Sequence, residues 1–244
     1  MKIIKAENYE KLSEKAAAVL AAQVISKPDS VLGLATGSTP VGAYGYLKKW
    51  YRQGILDFSE IKSVNLDEYK GLGPEDEQGY YYFMNQNLFK DINIKAENTF
   101  IPNGLEEDSS KVCAEYENTI KEAGGIDLQL LGLGHNGHIG FNEPADDFKA
   151  SCHCVSLAES TIEANQRFFE KAEDVPRKAY TMGIGTIMKA RKILMLVSGK
   201  EKAEILNQVV NGPVVPGVPA SVLKLHPDVT IVADEDALSM MKYE

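Results

Sequence analysis

Cysteine is scarce in this chain of 244 residues. The three cysteines, Cys113, Cys152 and Cys154, form no Cys-x-x-Cys pair, so the usual dithiol redox motif is missing. Cys152 and Cys154 alternate around His153, a pattern that favours a strand over a redox device. No secretory leader is recognisable before the first apolar segment, and we therefore expect a cytoplasmic protein with reduced thiols.

Long apolar runs and an excess of positive charge are also missing. No run approaches the ~20 apolar residues that a membrane span requires. Lysine and arginine number 26 against 35 acidic residues, which gives a net charge of −9. This balance argues against a general nucleic-acid or anionic-membrane surface, so neither is expected as a partner. A small anionic substrate is still compatible, because a few local cations and backbone N–H groups suffice to bind one.

The predicted strand Val31–Ala35 runs directly into TGSTP at residues 36–40, and helical spacing follows. TGSTP is neither a Walker loop nor a GxGxxG fingerprint, so this segment does not indicate ATP or a dinucleotide. The hydroxyls of Thr36, Ser38 and Thr39 and nearby N–H groups would lie at the positive end of that helix, where phosphate binds well. The alternative is an ordinary helix cap formed by serine or threonine.

The most distinctive stretch follows an apolar strand at Leu128–Leu131. Residues 132–144 contain four glycines together with His135, Asn136, His138, Asn142 and Glu143. Glycines permit positive φ angles and close approach of a ligand to the main chain. A strand that opens into such a loop is where an α/β sheet usually carries its chemistry. Two alternatives stay open, a polar surface turn around Asn-Gly and a metal site formed by closely spaced histidines.

An acidic pair closes the next predicted strand. The strand Ile61–Leu66 ends in Asp67 and Glu68, and in a parallel sheet this end lies at the same edge as TGSTP and the histidine loop. Taken alone, such a pair is usually the solvated start of a loop. The polar segment Gly71–Gly79 is long enough to act as a flap. The aromatic cluster of the predicted helix Tyr80–Phe89 is interpreted as packing, in preference to a platform for a sugar.

Two lysines open a later helix, where positive charge opposes the helix dipole. Lys200 and Lys202 follow the predicted strand Ile193–Val197 and the pair Ser198-Gly199. A bound anion would explain cations at this position, and either lysine could contact it.

Helical and strand-like segments alternate along the whole chain. Further helices are predicted at Tyr9–Ile25, Ser109–Glu122 and Thr161–Phe169, and further strands at Ser221–Leu225 and Val229–Ala233. This alternation predicts an α/β fold, a doubly wound, mostly parallel open sheet with helices on both faces, as in Rossmann-like proteins. Because no linker, repeat or low-complexity tract interrupts it, residues 1–244 are expected to form a single domain.

Three motifs together resemble the glucosamine-6-phosphate deaminases, the glucosamine/galactosamine-6-phosphate isomerase family. They are TGSTP, NLDEY at residues 65–69 and GHNGHIGFNEP at residues 134–144. NQRFF, with Arg167, and SGKEKA, with Lys202, resemble the family's other phosphate ligands, and the similarity extends from Ile3 to about Asp236. The wider superfamily includes 6-phosphogluconolactonases and sugar-phosphate-sensing regulator domains. The pairing of NLDEY with NGHIGFNEP favours the deaminase.

The resemblance implies amino-sugar catabolism: glucosamine 6-phosphate and water become fructose 6-phosphate and ammonia, with no metal and no organic cofactor. It assigns Asp67 as the base that moves a proton between C2 and C1. It assigns His138 to ring opening, oriented by Glu143 with help from Asn136. Substrate phosphate would be bound by Gly37, Ser38, Thr39, Arg167 and Lys202. Gly134 and Gly137 would belong to the loop that contacts the substrate.

Two departures from the longer, allosteric relatives affect these expectations. Those relatives carry aspartate where this chain has Asn136, and Ser151–Val155 here offers little of the positive charge that they use to bind an activator. We therefore expect a short, non-allosteric type that is a monomer or a small homo-oligomer. The alternatives are a sugar-phosphate-binding regulatory domain and a 6-phosphogluconolactonase-like hydrolase.

Overall fold

The computed structural model describes residues 1–157, 162 and 175–241. Within these residues the chain forms ten strands: β1 (Lys2–Ala6), β2 (Val31–Leu34), β3 (Lys62–Asn65), β4 (Asp67–Tyr69), β5 (Thr99–Phe100), β6 (Leu128–Gly132), β7 (His153–Ser156), β8 (Lys178–Thr181), β9 (Lys192–Val197) and β10 (Val229–Asp234). Seven of them form one parallel sheet in the order β1-β10-β9-β6-β2-β3-β5. The prediction of a mostly parallel, doubly wound sheet is confirmed.

The order of the strands reverses in the middle of this sheet. From the neighbouring pair β2 and β6, strands β3 and β5 continue to one side, and β9, β10 and β1 continue to the other. In open α/β sheets the crevice outside the carboxyl ends of the strands at this reversal is where ligands bind. TGSTP follows β2 and the histidine loop follows β6, so the reversal brings the two motifs together.

The helices of the same residues are α1 (Tyr9–Ser26), α2 (Ser38–Arg52), α3 (Tyr80–Asn87), α4 (Ser109–Glu122), α5 (Ile184–Ile187) and α6 (Ala203–Asn211). Asn8 caps α1, because its side-chain oxygen accepts the N–H of Lys11 at 3.0 Å. Leu12, Ala16 and Leu20 recur on the buried face of α1, as the helical spacing predicts. No helix in the described part of the chain is long and apolar enough to cross a membrane.

A second, three-stranded antiparallel sheet has the order β4-β8-β7. Its first strand contains Asp67 and Glu68, which the sequence placed at the start of a loop. That placement is wrong, because the chain stays extended and Asp67 pairs with Thr181. The partner strand lies far along the sequence, so no local pattern could reveal the pairing.

The predicted strand Ser221–Leu225 is also wrong, since Pro219–Leu225 form a 3-10 helix. Pro219 has no N–H to donate to a strand ladder. The hydroxyl of Ser221 bonds the backbone of Val215, accepting its N–H at 2.9 Å and donating to its C=O at 3.0 Å. The apolar residues of this segment therefore reflect burial and not strand pairing.

We predict that Gly33→Ala lowers the free energy of unfolding by about 1–3 kcal/mol, because it overpacks the centre of the sheet. A Cβ atom at Gly33, in β2, would lie 2.0 Å from the side-chain oxygen of buried Gln129. Gly45→Ala is the matched control: no atom lies within 4 Å of its Cβ position in α2, and it should gain about 0.5–1 kcal/mol. Urea denaturation measures both, and equal stabilities of Gly33→Ala and the wild type would contradict the prediction.

Candidate active site

A cavity of about 420 Å³ opens where the strand order reverses. Its walls are formed by TGSTP, Asp67, the loop from Gly132 to Phe141, and Lys202. These groups are far apart in the sequence. They lie close together because the carboxyl ends of parallel strands share one edge of the sheet. The volume lies within the range of ordinary small-molecule sites.

One end of the cavity is the N-terminus of α2. Gly37 is the N-cap residue and has a φ angle of 93°, which glycine adopts at little cost. This turn makes Ser38 and Thr39 the first helical residues, whose N–H groups lack partners within the helix. Gly37 has no side chain to form a cap, so the alternative of an ordinary serine or threonine cap is wrong. An anion fits this arrangement.

Lys202 lines the cavity, immediately before α6. Burial lowers the pKa of its ammonium group to about 8, and nearby Glu201 acts weakly in the opposite direction. A phosphate would restore the charge that burial disfavours. Lys200 is exposed and does not line the cavity, so the cavity wall includes the lysine that the resemblance assigns to phosphate and not its neighbour.

The histidine loop carries a hydrogen-bonded chain of three side chains. His138 Nδ1 lies 2.7 Å from the side-chain oxygen of Asn136, and the Asn136 amide donates to Glu143 Oε2 at 2.6 Å. Because an amide oxygen only accepts, Nδ1 carries the proton in the neutral ring and Nε2 is the basic nitrogen. Glu143 Oε2 is also 3.4 Å from Nδ1, close enough to stabilise an imidazolium.

Glycine is required in this loop for two separate reasons. A Cβ atom at Gly134 would lie 2.3 Å from His138 Nε2, so the imidazole occupies the space that a side chain would fill. The N–H of Gly134 also donates to the carbonyl of His138 at 2.9 Å. Gly137 turns the chain with a φ angle of 85°, a conformation that side chains rarely adopt.

Asp67 lies in the cavity wall, with only 5% of its surface exposed. Its carboxylate forms no hydrogen bond with any residue of the described ranges. Burial, reinforced by the adjacent carboxylate of Glu68, raises the pKa of Asp67 to about 8. A buried carboxylate with a raised pKa in a cleft suits a general base.

Tyr80 is a wall residue that the sequence interpretation assigned to packing. Its ring packs against Tyr69 at 4.7 Å between centroids and stacks on Phe141 at 5.9 Å, so the interpretation as packing is correct in part. The same ring also lines the cavity. The available signal was its position immediately after the polar segment Gly71–Gly79.

The expected phosphate ligand Arg167 and most of the predicted helix Thr161–Phe169 lie outside the described residues. Among the residues that are described, no group of three or more histidine, cysteine, aspartate or glutamate side chains has the arrangement of a metal site. His138 and Glu143 are instead joined through Asn136.

The comparisons with known proteins agree with this geometry. The family described as glucosamine-6-phosphate isomerases/6-phosphogluconolactonase matches residues 5–232. The chain belongs to this family, as the three motifs predicted.

Within the family, the chain is 58% identical to the glucosamine-6-phosphate deaminase of Lachnoclostridium phytofermentans over 95% of this chain and 98% of the relative. A solved structure of a monomeric glucosamine-6-phosphate deaminase is 46% identical, with a TM-score of 0.96 over 98% of this chain and 100% of the other. The 6-phosphogluconolactonase of Trypanosoma brucei is 18% identical, with a TM-score of 0.79 over 99% and 98% of the two chains. That more distant likeness shows the fold alone.

We predict that Lys202→Gln raises the dissociation constant of fructose 6-phosphate about 10- to 100-fold, because a charge-assisted contact to phosphate is lost. The matched control is Lys200→Gln, which removes an exposed lysine two residues away and should leave binding unchanged. Titration calorimetry measures both. Equal effects of the two substitutions would contradict a specific role for Lys202.

We predict that Asp67→Asn raises the melting temperature relative to the wild type, by an amount that depends on pH. A folded-state pKa raised from 3.8 to about 8 means that ionised Asp67 destabilises the fold. The wild type should therefore lose stability as pH rises from about 4 to about 8. The difference in melting temperature between Asp67→Asn and the wild type should level off above that range. Thermal melts between pH 5 and 9 test this, with Asp29→Asn, an exposed aspartate, as the control. If the difference in melting temperature between Asp67→Asn and the wild type does not grow with pH, the raised pKa of Asp67 is refuted.

Proposed function

We propose that this chain is a glucosamine-6-phosphate deaminase, which converts glucosamine 6-phosphate and water into fructose 6-phosphate and ammonia. The observation that carries the proposal is the meeting of three features in one cavity: an anion-binding end, a histidine with a defined basic nitrogen, and a buried carboxylate. The name of the 58% identical relative supports the same reaction.

The phosphate of the substrate binds at the N-terminus of α2. The first N–H groups and hydroxyls of Ser38 and Thr39 contact the phosphate, and Gly37 provides the turn that exposes them. Lys202 contributes the charge, and the family resemblance adds Arg167. This end of the substrate takes no part in the chemistry, so its binding energy serves to orient the reacting carbons.

Ring opening is the task of His138. Nε2 accepts the proton of the C1 hydroxyl and returns a proton to the ring oxygen O5, which opens the ring to the aldehyde. While the imidazole carries the extra proton, Glu143 stabilises it across 3.4 Å and Asn136 holds its orientation. The amide of Asn136 is sufficient for this role, because the negative charge is supplied by Glu143.

Isomerisation and deamination depend on Asp67. Its carboxylate takes the proton from C2 of the open aldehyde and delivers a proton to C1, while a proton passes from the ammonium group on C2 to the carbonyl oxygen. The double bond then lies between C2 and nitrogen. Water then adds at C2, and ammonia leaves as the ketone of fructose 6-phosphate forms. A carboxylate with few hydrogen-bond donors is a stronger base than one in water, which suits the removal of a proton from carbon.

Two rival functions account for fewer of these features. Lactone hydrolysis needs no base for a carbon-bound proton, so it gives Asp67 no role. A regulatory domain that only binds sugar phosphate needs neither that base nor the chain of His138, Asn136 and Glu143.

We also propose that residues 1–244 act as one domain, that the protein is a cytoplasmic monomer, and that it needs no metal. The larger of two hydrophobic clusters among the described residues draws its members from Ala6 to Leu238, which supports the first point. The monomeric state of the 46% identical deaminase supports the second.

The test is release of ammonia from glucosamine 6-phosphate in the presence of a chelator. The wild type and Asp29→Asn should release it, and Asp67→Asn should be slower by about 10²–10⁴-fold, since a positioned base is lost. The wild type should not hydrolyse 6-phosphogluconolactone faster than water alone does. Rapid lactone hydrolysis without ammonia would indicate the hydrolase. Binding of sugar phosphates with neither reaction would indicate the regulatory domain.

A further inference from the structure

Glu68 is a buried carboxylate that neither the resemblance nor the mechanism uses. Only 2% of its surface is exposed. Asp67 and Glu68 are consecutive in β4, so their side chains lie on opposite faces of the strand. Glu68 accordingly faces a second cavity of about 290 Å³, which is lined also by Leu72, Tyr81 and Gly104 and is separate from the substrate cavity.

The carboxylate of Glu68 accepts three backbone N–H groups. Oε1 accepts from Tyr69 at 2.8 Å and from Tyr80 at 2.9 Å, and Oε2 accepts from Tyr81 at 3.0 Å. Tyr80 and Tyr81 are the first two residues of α3, whose N-cap, Gly79, has no side chain to cap the helix. Glu68 therefore caps α3 from another strand and supplies a negative charge at the positive end of the helix.

We propose that Glu68 is a positioning residue for the deaminase reaction. Its hydrogen bonds hold the helix that carries Tyr80 against the strand that carries Asp67, and its carboxylate places a like charge beside that base. The inference rests on the proposed function, since it concerns the reaction that Asp67 catalyses.

The first consequence is geometric. Residues 70–79 connect β4 to α3, and Glu68 joins the two ends of this connection directly. Tyr80 forms part of the substrate cavity, so the wall on this side is held by the same carboxylate. Loss of the cap would displace Tyr80 relative to Asp67, and small displacements of groups around a reacting centre are costly in rate.

The second consequence is electrostatic. Among the described residues, the groups that act on the Glu68 carboxylate are the backbone N–H groups of Tyr69, Tyr80 and Tyr81 and the carboxylate of Asp76 in the connecting loop. Burial raises the pKa of Glu68 to about 7, against the effect of its N–H bonds. In the described part of the chain, no cation is one of the main influences on either carboxylate, so the charge of Glu68 adds to the basicity of Asp67.

The experiment separates the two consequences with two substitutions at one position. Glu68→Gln removes the charge and replaces one acceptor by an NH₂ group. It should lower kcat/KM for glucosamine 6-phosphate about 10- to 100-fold and move the acid limb of the kcat/KM profile to lower pH. Glu68→Asp keeps the charge but is too short to reach α3. It should lower kcat/KM while leaving the acid limb in place.

Asp108→Asn is the matched control. Asp108 is the N-cap residue of α4, accepts the N–H groups of Ser110 and Lys111, and lies outside the candidate site. Its substitution removes a negative charge from a helix N-terminus, as Glu68→Gln does, and should change neither kcat/KM nor the pH profile.

Several results would overturn the inference. If Glu68→Gln and Glu68→Asp both retain the wild-type kcat/KM and profile, Glu68 has no positioning role. If Glu68→Gln fails to fold, the Glu68→Asp variant decides. A wild-type kcat/KM in that variant refutes the proposal. A lower kcat/KM with the acid limb of the pH profile in its wild-type place supports it. If the wild type releases no ammonia, the proposed function fails first and the inference fails with it.

Discussion

The geometry of parallel strands is the constraint on which the rest of this structure depends. All seven strands of the large sheet run in the same direction, so their carboxyl ends lie at one edge. The reversal of order between β2 and β6 then leaves a crevice that neither neighbouring connection covers. TGSTP and the histidine loop leave the sheet on either side of that crevice, which is why groups distant in sequence share one cavity.

The charges around the cavity are unfavourable in the free protein. Burial makes the ionised forms of Asp67 and Lys202 costly, raising the pKa of the acid and lowering that of the base until both lie at about 8. Glucosamine 6-phosphate compensates for part of this cost, since its phosphate pairs with Lys202 and its ammonium group brings a cation close to Asp67. The binding of substrate thus restores charges that the fold alone disfavours, which is typical of functional sites.

Local sequence patterns predicted much of this arrangement, whereas features that depend on pairing between distant segments could not be predicted. TGSTP and the histidine loop each combine a strand, glycines and polar residues within a short stretch, and each lies where the pattern places it. The strand at Asp67–Tyr69 was missed because its partner β8 is remote. Pro219–Leu225 was misinterpreted because apolar composition does not separate a buried 3-10 helix from a strand. The position of Tyr80 in the cavity wall required the fold, whereas the phosphate-binding roles of Lys202 and Arg167 come from the resemblance and stay predictions.

The central claim is that one fixed carboxylate, Asp67, moves the proton between C2 and C1. The most direct measurement is turnover of glucosamine 6-phosphate in D₂O, followed by NMR of C1 in the fructose 6-phosphate formed. A base held on one face of the substrate should place deuterium in only one of the two C1 positions. Equal labelling of both positions would show that protonation occurs without a positioned base, and it would contradict the account.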